Sequence, residues 1–295
     1  MFSELKQVLR RHLLGWRFQH NLQEDHRTLS RLGNRYYIQN PGELLAPGFT
    51  PPVNAYEFSH YSQNGEDGIL LHLLERLGVE NRYIVEVGTE DGRECNSANL
   101  ILNFGWSGCL IEASESSAAA AREYFSACRV LDRVHLINAW ALPGNINELL
   151  RNAGVPGTVD ILSIDIDSHD YWLWRALDCL NPRIVVIEYN ASFSPDSCVT
   201  VPYPMPRIKG KAARYYHGAS LMAMQQLGRE KGYTMVGGDS RGINCFFVRN
   251  DLAAAAGLTA VSTESAYRPH FWRSLKQSPA EQYRITAGLP LAKVD

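Results

Sequence analysis

Two rhythms of apolar and polar residues alternate along this chain. Runs that are apolar on both faces suit strands buried in a parallel sheet, and five such runs occur: Tyr83–Val87, Cys109–Glu112, Val134–Asn138, Val159–Asp165 and Arg183–Asn190. Helical periodicity fills the gaps. Ser62–Leu77 places Ile69, Leu70, Leu73, Leu74 and Leu77 on one side, with Ser62 as its cap and Glu66 and Asp67 suited to its positive end. A helix opens near Asn96, an alanine-rich one covers Ser114–Cys128, and others cover Tyr171–Leu180 and Ala219–Lys231. Gly232–Val236 and Ile243–Val248, separated by a glycine-rich turn, predict a terminal antiparallel hairpin. Strand and helix in alternation predict an α/β fold: a Rossmann-like, mostly parallel sheet of seven strands with helices on both faces.

The remaining segments depart from this pattern. Residues 1–32 predict a helical arm, with Leu5, Val8, Leu9, Leu13 and Trp16 three or four apart and five arginines that make it basic. Such an arm either packs on the main domain or a sister subunit, or touches an anionic membrane surface peripherally. Residues 41–53 contain four prolines and form a linker. The chain thus divides into an arm and linker (1–54), a main domain (55–250) and a C-terminal helix and tail (251–295). Within the main domain, residues 191–214 show no period, and combine Pro202, Pro204 and Pro206 with Arg207, Lys209, Lys211 and Arg214. A structureless loop of that length reads either as a mobile segment or as a substrate lid, and a basic lid suits an anionic acceptor.

Composition narrows the function classes. With 45% apolar residues in 295, one large core is within reach. A net charge of −2 gives no support to nucleic-acid binding. Six cysteines without C-x-x-C pairing read as reduced thiols, and no run is long enough to span a membrane, so a cytoplasmic protein is expected.

The chemistry concentrates at the turn after the first strand. Gly88 and Gly92 bracket Thr89, Glu90 and Asp91, so the second and third glycines of a dinucleotide fingerprint are missing. Carboxylates around a pyrophosphate would repel it. A cationic nucleoside avoids that conflict, and S-adenosylmethionine carries a sulfonium, an ammonium and a ribose diol but no phosphate. Glu112, twenty-four residues past Gly88 at the end of the second strand, is placed for ribose hydroxyls. Four strands end in acids, Glu86, Glu112, Asp165 and Glu188, and these would be mutually repulsive without a cation between them.

The stretches Tyr61–Leu70, Val85–Gly92, Gly105–Glu112, Asp160–Asp167 and Gly242–Arg249 resemble the FkbM-like family of class I S-adenosylmethionine-dependent methyltransferases. The resemblance covers about two-thirds of the chain. It implies methyl transfer to an oxygen, with a small-molecule or glycan acceptor such as a sugar hydroxyl in glycan or secondary-metabolite synthesis. It also implies cofactor contacts from Gln63 or Asn64, from Glu86, Gly88, Thr89 and Gly92, from Glu112 and Ala113, from Asn138 and Ala139, and from Asp165. Trp140 either stacks on the adenine or belongs to the core.

An alcohol acceptor must lose its proton. His169 titrates nearest neutrality, with Asp167 or Glu188 to orient it, although His169 and Asp170 also suit the simple opening of a helix. His217 is a second base candidate. No metal ligand set is assigned, but Asp165, Asp167, Glu188 and Asn190 are oxygen donors of the kind Mg²⁺ accepts. Two other functions compete: a NAD-dependent or nucleotide-sugar oxidoreductase, and a non-catalytic binding module on the same fold.

Overall fold

The computed structural model describes residues 52–294, so the expected N-terminal arm and most of the linker lie outside the described residues. The sheet is built from β1 (Tyr83–Val87), β2 (Ser107–Glu112), β3 (Val134–Asn138), β4 (Ile161–Ile164), β5 (Ile184–Glu188), β7 (Tyr233–Gly238) and β8 (Asn244–Arg249). Its order is β3-β2-β1-β4-β5-β8-β7. The first five strands pair in parallel, and β8 runs antiparallel to both β5 and β7. The expected seven-stranded α/β sheet with its terminal hairpin is the observed one.

Successive residues of the central strands serve opposite faces, as the pleat requires. Ile84, Leu110 and Ile161 enter one core with Ile69 and Leu73 of α1 (Glu66–Leu77), Ile101 of α2 (Asn96–Phe104) and Phe125 of α3 (Glu115–Ala127). Val85, Cys109 and Leu162 enter the other. Their partners there are Leu150 of α4 (Ile146–Asn152), Trp174 of α5 (Asp170–Ala176) and Leu227 of α6 (Leu221–Glu230). Burying a Leu, Ile or Phe side chain in such a layer contributes about 1.5–3 kcal/mol, which is why the strands read as unbroken apolar runs.

At the far edge from the glycine turn, Asp160 is fully buried and accepts backbone N–H groups of Glu80, Asn81 and Arg82 at 2.7–2.9 Å. It anchors the entry of β1 beside β4. The chain then builds β2 and β3 on one side and crosses to β4 and β5 on the other. The switch in strand order between β1 and β4 opens a crevice at their carboxyl ends, where ligands of open α/β sheets bind.

Three segments differ from expectation. The helix foreseen from Ser62 starts at Glu66, because Asp67 Oδ2 gathers the N–H groups of His60, Tyr61 and Ser62 into a loop while Ser62 Oγ accepts from Asp67 N. The helix α4 was not foreseen at all. Residues 191–214 are anchored in part: Phe193 and Val201 join Tyr216, Ile208, Leu289 and Leu291 in a small core, and β6 (Val199–Thr200) pairs with β9 (Ala292–Lys293), while residues 203–207 are exposed. Between β8 and β9 the chain forms α7 (Asn250–Ala255), α8 (Thr263–Ala266), α9 (Phe271–Ser274) and α10 (Pro279–Ala287). This tail reaches back over the carboxyl end of the sheet.

Candidate functional site at the carboxyl end of the sheet

Gly88 makes the crevice geometry. It sits at φ +88°, and a Cβ there would lie 1.6 Å from the main-chain oxygen of Asp165. Only glycine lets β1 leave the sheet this close to the end of β4. Gly92, at φ +75°, would press a Cβ to 2.7 Å from Phe125 Cε2, so its role is packing against α3. Glu86 is drawn into the fold as well. Its carboxylate accepts Asn96 N at 2.9 Å and Ser97 N at 2.8 Å, capping α2 from the neighbouring strand. Asn96 Nδ2 donates to Ser163 Oγ at 2.9 Å, which ties that helix end to β4.

Above this turn lies a cavity of about 430 Å³. All four strand-tip acids, Glu86, Glu112, Asp165 and Glu188, line it. Gly88, Ala113, Ala139, Gln63, Asp167 and His169 line it too. Thr89, Gly92 and Asn138 stand outside the wall: Thr89 is buried with its hydroxyl unpartnered, and Asn138 Nδ2 donates to the carbonyls of Glu112 and Ala113. Glu112 accepts Ser114 N at 2.7 Å on one oxygen and Glu90 N at 2.9 Å on the other. Each oxygen keeps a lone pair, and both stay at the cavity wall. Between the two candidates before α1, Asn64 gives its amide and backbone N–H to Glu66, leaving Gln63 as the exposed one at the cavity.

Trp140 is not core. Its residue is 70% exposed at the cavity edge, on a loop held by Asn145, whose Nδ2 donates to Trp140 O and whose Oδ1 accepts from Leu142 N. The opposite rim comes from residues the sequence pattern did not single out: His270, Trp272 and Arg273, around α9. The only signal for them was an aromatic and basic run, Arg268–Arg273, in a tail without periodicity. Of the basic residues between 207 and 214, none lines the cavity.

His169 was expected as the base, and its ring is already committed. Nε2 lies 3.1 Å from the carbonyl oxygen of Ala141 and Nδ1 2.9 Å from Ser168 Oγ. In the neutral ring Nε2–H donates to the carbonyl and Nδ1 faces Ser168 Oγ, whose hydroxyl also lies 3.1 Å from the carbonyl oxygen of Ile166. Burial also lowers its pKa. Asp170 turns to the backbone, accepting Ile166 N and Ser168 N. His169 stands at the N-cap of α5 and Asp170 is its first residue.

What remains unspent is carboxylate. Burial, with Glu188 close by, raises Asp165 well above the usual range. Burial and the charges of Asp170 and Asp167 raise Glu188, against the pull of Arg273. Glu188 Oε2 and His217 Nδ1 are buried without a hydrogen-bond partner, 3.6 Å apart. Asp167 is exposed, at φ +53°, a left-handed conformation that aspartate tolerates.

Among the described residues, two triplets bring one ligand atom each within 4.8 Å: Asp167, Glu188 and His217, and Asp165, Asp170 and Glu188. Neither fits a metal ion. In the second, each Asp170 oxygen already accepts a backbone N–H, and burial favours the protonated form of all three acids. Arg273 Nη2 donates to His217 Nε2 at 2.7 Å, and since arginine only donates, the neutral imidazole carries its proton on Nδ1, the atom a metal would need. Asn190, expected beside these acids, donates from Nδ2 to the carbonyls of Tyr215 and His217, and its Oδ1 accepts from Ser192 N and Arg273 Nη1.

No family model matches the chain, and no curated protein matches it. Solved structures are similar to it at low identity. The O-methyltransferase from Bacillus cereus in complex with S-adenosylhomocysteine is 18% identical over 73% of this chain and 88% of its own, with a TM-score of 0.40. A SAM-dependent methyltransferase from Thiobacillus denitrificans, also with S-adenosylhomocysteine, is 16% identical over 68% and 71%, with a TM-score of 0.37. One from Aquifex aeolicus is 15% identical over 61% and 87%, with a TM-score of 0.37.

Proposed function

We propose that this cavity binds S-adenosylmethionine and that the protein transfers its methyl group to an oxygen acceptor, most fittingly a sugar hydroxyl. One observation carries the reading. Among the described residues, the cavity at the β1/β4 switch is walled by eight carboxyl groups, those of Glu66, Glu86, Glu90, Glu94, Glu112, Asp165, Asp167 and Glu188, against the single guanidinium of Arg273. That wall repels a pyrophosphate and attracts a cation.

The donor set fits the group. Glu112 presents two carboxylate oxygens at the end of β2, where a ribose diol is received in nucleotide-binding α/β folds. Trp140 offers an exposed indole face on the same side for a base to stack on. Gln63 and the exposed edge of the turn at Glu90 supply polar groups for an amino-acid tail.

When bound, the cofactor supplies an electrophilic methyl carbon on a sulfonium, which leaves as a neutral thioether. The protein's part is to align and to deprotonate. Asp167 and Glu188 stand at the tips of adjacent strands, within 4.8 Å of each other, and receive the acceptor hydroxyl between them. The hydroxyl proton passes to this carboxylate pair as its oxygen takes the methyl group. Trp272, half exposed on the rim, gives an acceptor ring a flat apolar face. A neutral polyol suits this wall. The anionic acceptor suggested by the basic run at 207–214 finds no cation there except Arg273, which is already bonded.

Calorimetry with S-adenosylhomocysteine and with NAD⁺ tests the reading. Binding of the former and none of the latter is expected, and the reverse overturns it. Transfer of labelled methyl groups into cell-derived glycans then tests the acceptor. A protein that binds S-adenosylhomocysteine yet methylates nothing across a broad acceptor panel is a binding module on this fold.

A further inference from the structure

The acid cluster at the ends of β4 and β5 has the outline of a metal site and the wiring of something else. Asp167, Glu188 and His217 bring ligand atoms within 4.8 Å. Two of those atoms, Glu188 Oε2 and His217 Nδ1, are buried and without partners. A nearby cation would help a charged Glu188, since isolated buried charge costs several kcal/mol per group. The tail brings one.

Arg273, from α9, is itself mostly buried, and it is tied in from three sides: Nη1 donates to Asn190 Oδ1 at 3.0 Å and to Ser192 Oγ at 3.3 Å, and Nη2 donates to His217 Nε2 at 2.7 Å. The last bond fixes the imidazole with its proton on Nδ1, aimed at Glu188 Oε2 across 3.6 Å. A divalent ion at this point would need that proton removed and would sit beside a fixed guanidinium. Both conditions are unfavourable.

We infer that Arg273 keeps a divalent ion out of this cluster: bonded to the far ring nitrogen of His217, it holds Nδ1 protonated toward Glu188, adds a fixed positive charge behind the ring, and makes the site metal-independent. It is a positioning residue, acting on Glu188 through His217. The inference concerns the same cavity as the methyl-transfer reading but does not depend on it. Absence of S-adenosylhomocysteine binding would end that reading and leave this one standing.

Titration of the whole protein with Mn²⁺, followed by electron paramagnetic resonance and calorimetry, tests it without an acceptor. Wild-type protein is expected to take up no Mn²⁺ at this cluster in the millimolar range. Arg273→Met, which removes the charge and frees Nε2, is expected to bind Mn²⁺ at least about tenfold more tightly, and Asp167→Asn in that background to abolish the gain. Arg273→Lys keeps the charge and is expected to exclude the ion as wild type does. Stoichiometric Mn²⁺ binding by wild type that Asp167→Asn removes overturns the inference, as does a folded Arg273→Met that binds no better than wild type. Should Arg273→Met not fold, nitrogen-15 NMR of wild-type histidines decides: His217 protonated on Nδ1 with Nε2 as acceptor supports the assignment, and the opposite tautomer refutes it.

Discussion

Glu112→Gln is the most direct probe of the cofactor reading. In the wild type each carboxylate oxygen accepts one backbone N–H, from Ser114 and from Glu90, and faces the cavity with its other lone pair. An amide keeps one oxygen and turns the other position into a donor. Whichever way it flips, an NH₂ group meets a backbone N–H, so one bond to a charged acceptor is lost, worth about 1.5–3 kcal/mol. The same flip presents the ribose with one acceptor in place of two and with no charge. The loop bond is missing from free and bound protein alike and cancels, so the loss of S-adenosylhomocysteine affinity is that of the ligand contact, about 1.5–3 kcal/mol, or roughly 10- to 150-fold. Isothermal calorimetry measures it directly. A thermal melt provides the control, since the Glu90 contact also steadies the β1–α2 turn and its loss lowers stability by at most about 3 kcal/mol. A folded variant that binds S-adenosylhomocysteine within about threefold of wild type would refute the placement of the ribose, and with it the orientation of the cofactor.

Three further outcomes follow from the same coordinates. Gly88→Ala must both adopt φ +88° and displace the main-chain oxygen of Asp165; the variant is expected to lose more than about 4 kcal/mol in urea unfolding, and near-wild-type stability would contradict the β1/β4 approach. Trp140→Ala is expected to leave the melting temperature unchanged, because the residue is 70% exposed, while lowering S-adenosylhomocysteine affinity by about 1–3 kcal/mol; equal affinity would remove the indole from the adenine site. Burial and Arg273 lower the pKa of His217 from 6.5 to about 4. The folded state therefore holds it neutral, and its contribution, about 3 kcal/mol, is complete above pH 6.5 and lost as pH falls toward 4. Asp239, raised to about 7 by burial and Glu66, works with the opposite sign, its burial cost being relieved as pH falls below 7. The clean observable is thus the stability difference between wild type and His217→Gln, expected to shrink by about 3 kcal/mol from pH 6.5 to 4.

The parts of this fold that were legible are those where one local pattern decides. Strands buried on both faces read as unbroken apolar runs, and the acid at each tip marks where the run meets solvent, so Glu86, Glu112, Asp165 and Glu188 were all placed correctly along one edge. The glycine turn was legible for the same reason. Helix α4 was not, because only Ile146 and Leu150 of its seven residues are buried and about two turns are too few to show a period. The helix start at Glu66 was missed because Asp67 spends its carboxylate on N–H groups five to seven residues back, a bond that competes with ordinary capping from Ser62. Residues 191–214 looked structureless because their partners, Leu289, Leu291 and β9, lie some ninety residues further on.

The acids themselves show where reading by sequence stops. Four carboxylates at one edge look mutually repulsive, and the natural inference is a cation shared by all of them. In the structure they divide. Glu86 faces the N-terminus of α2, and Glu112 accepts two backbone N–H groups; both are stabilised locally by dipoles that the intervening loop happens to present. Among the described residues Asp165, Asp167 and Glu188 lack such capping, and the chain brings Arg273, eighty-five residues after Glu188, into the field of Asp167 and Glu188. The division has a consequence for the ligand. A cationic cofactor need not neutralise the whole edge; on the β2 side it would meet the lone pairs that Glu112 keeps, while on the β5 side the guanidinium opposes, without outweighing, the burial and neighbouring acids that raise Glu188. Charge on this edge is therefore graded from one end of the cavity to the other, and that gradient sets the direction in which a sulfonium and an incoming hydroxyl would face each other.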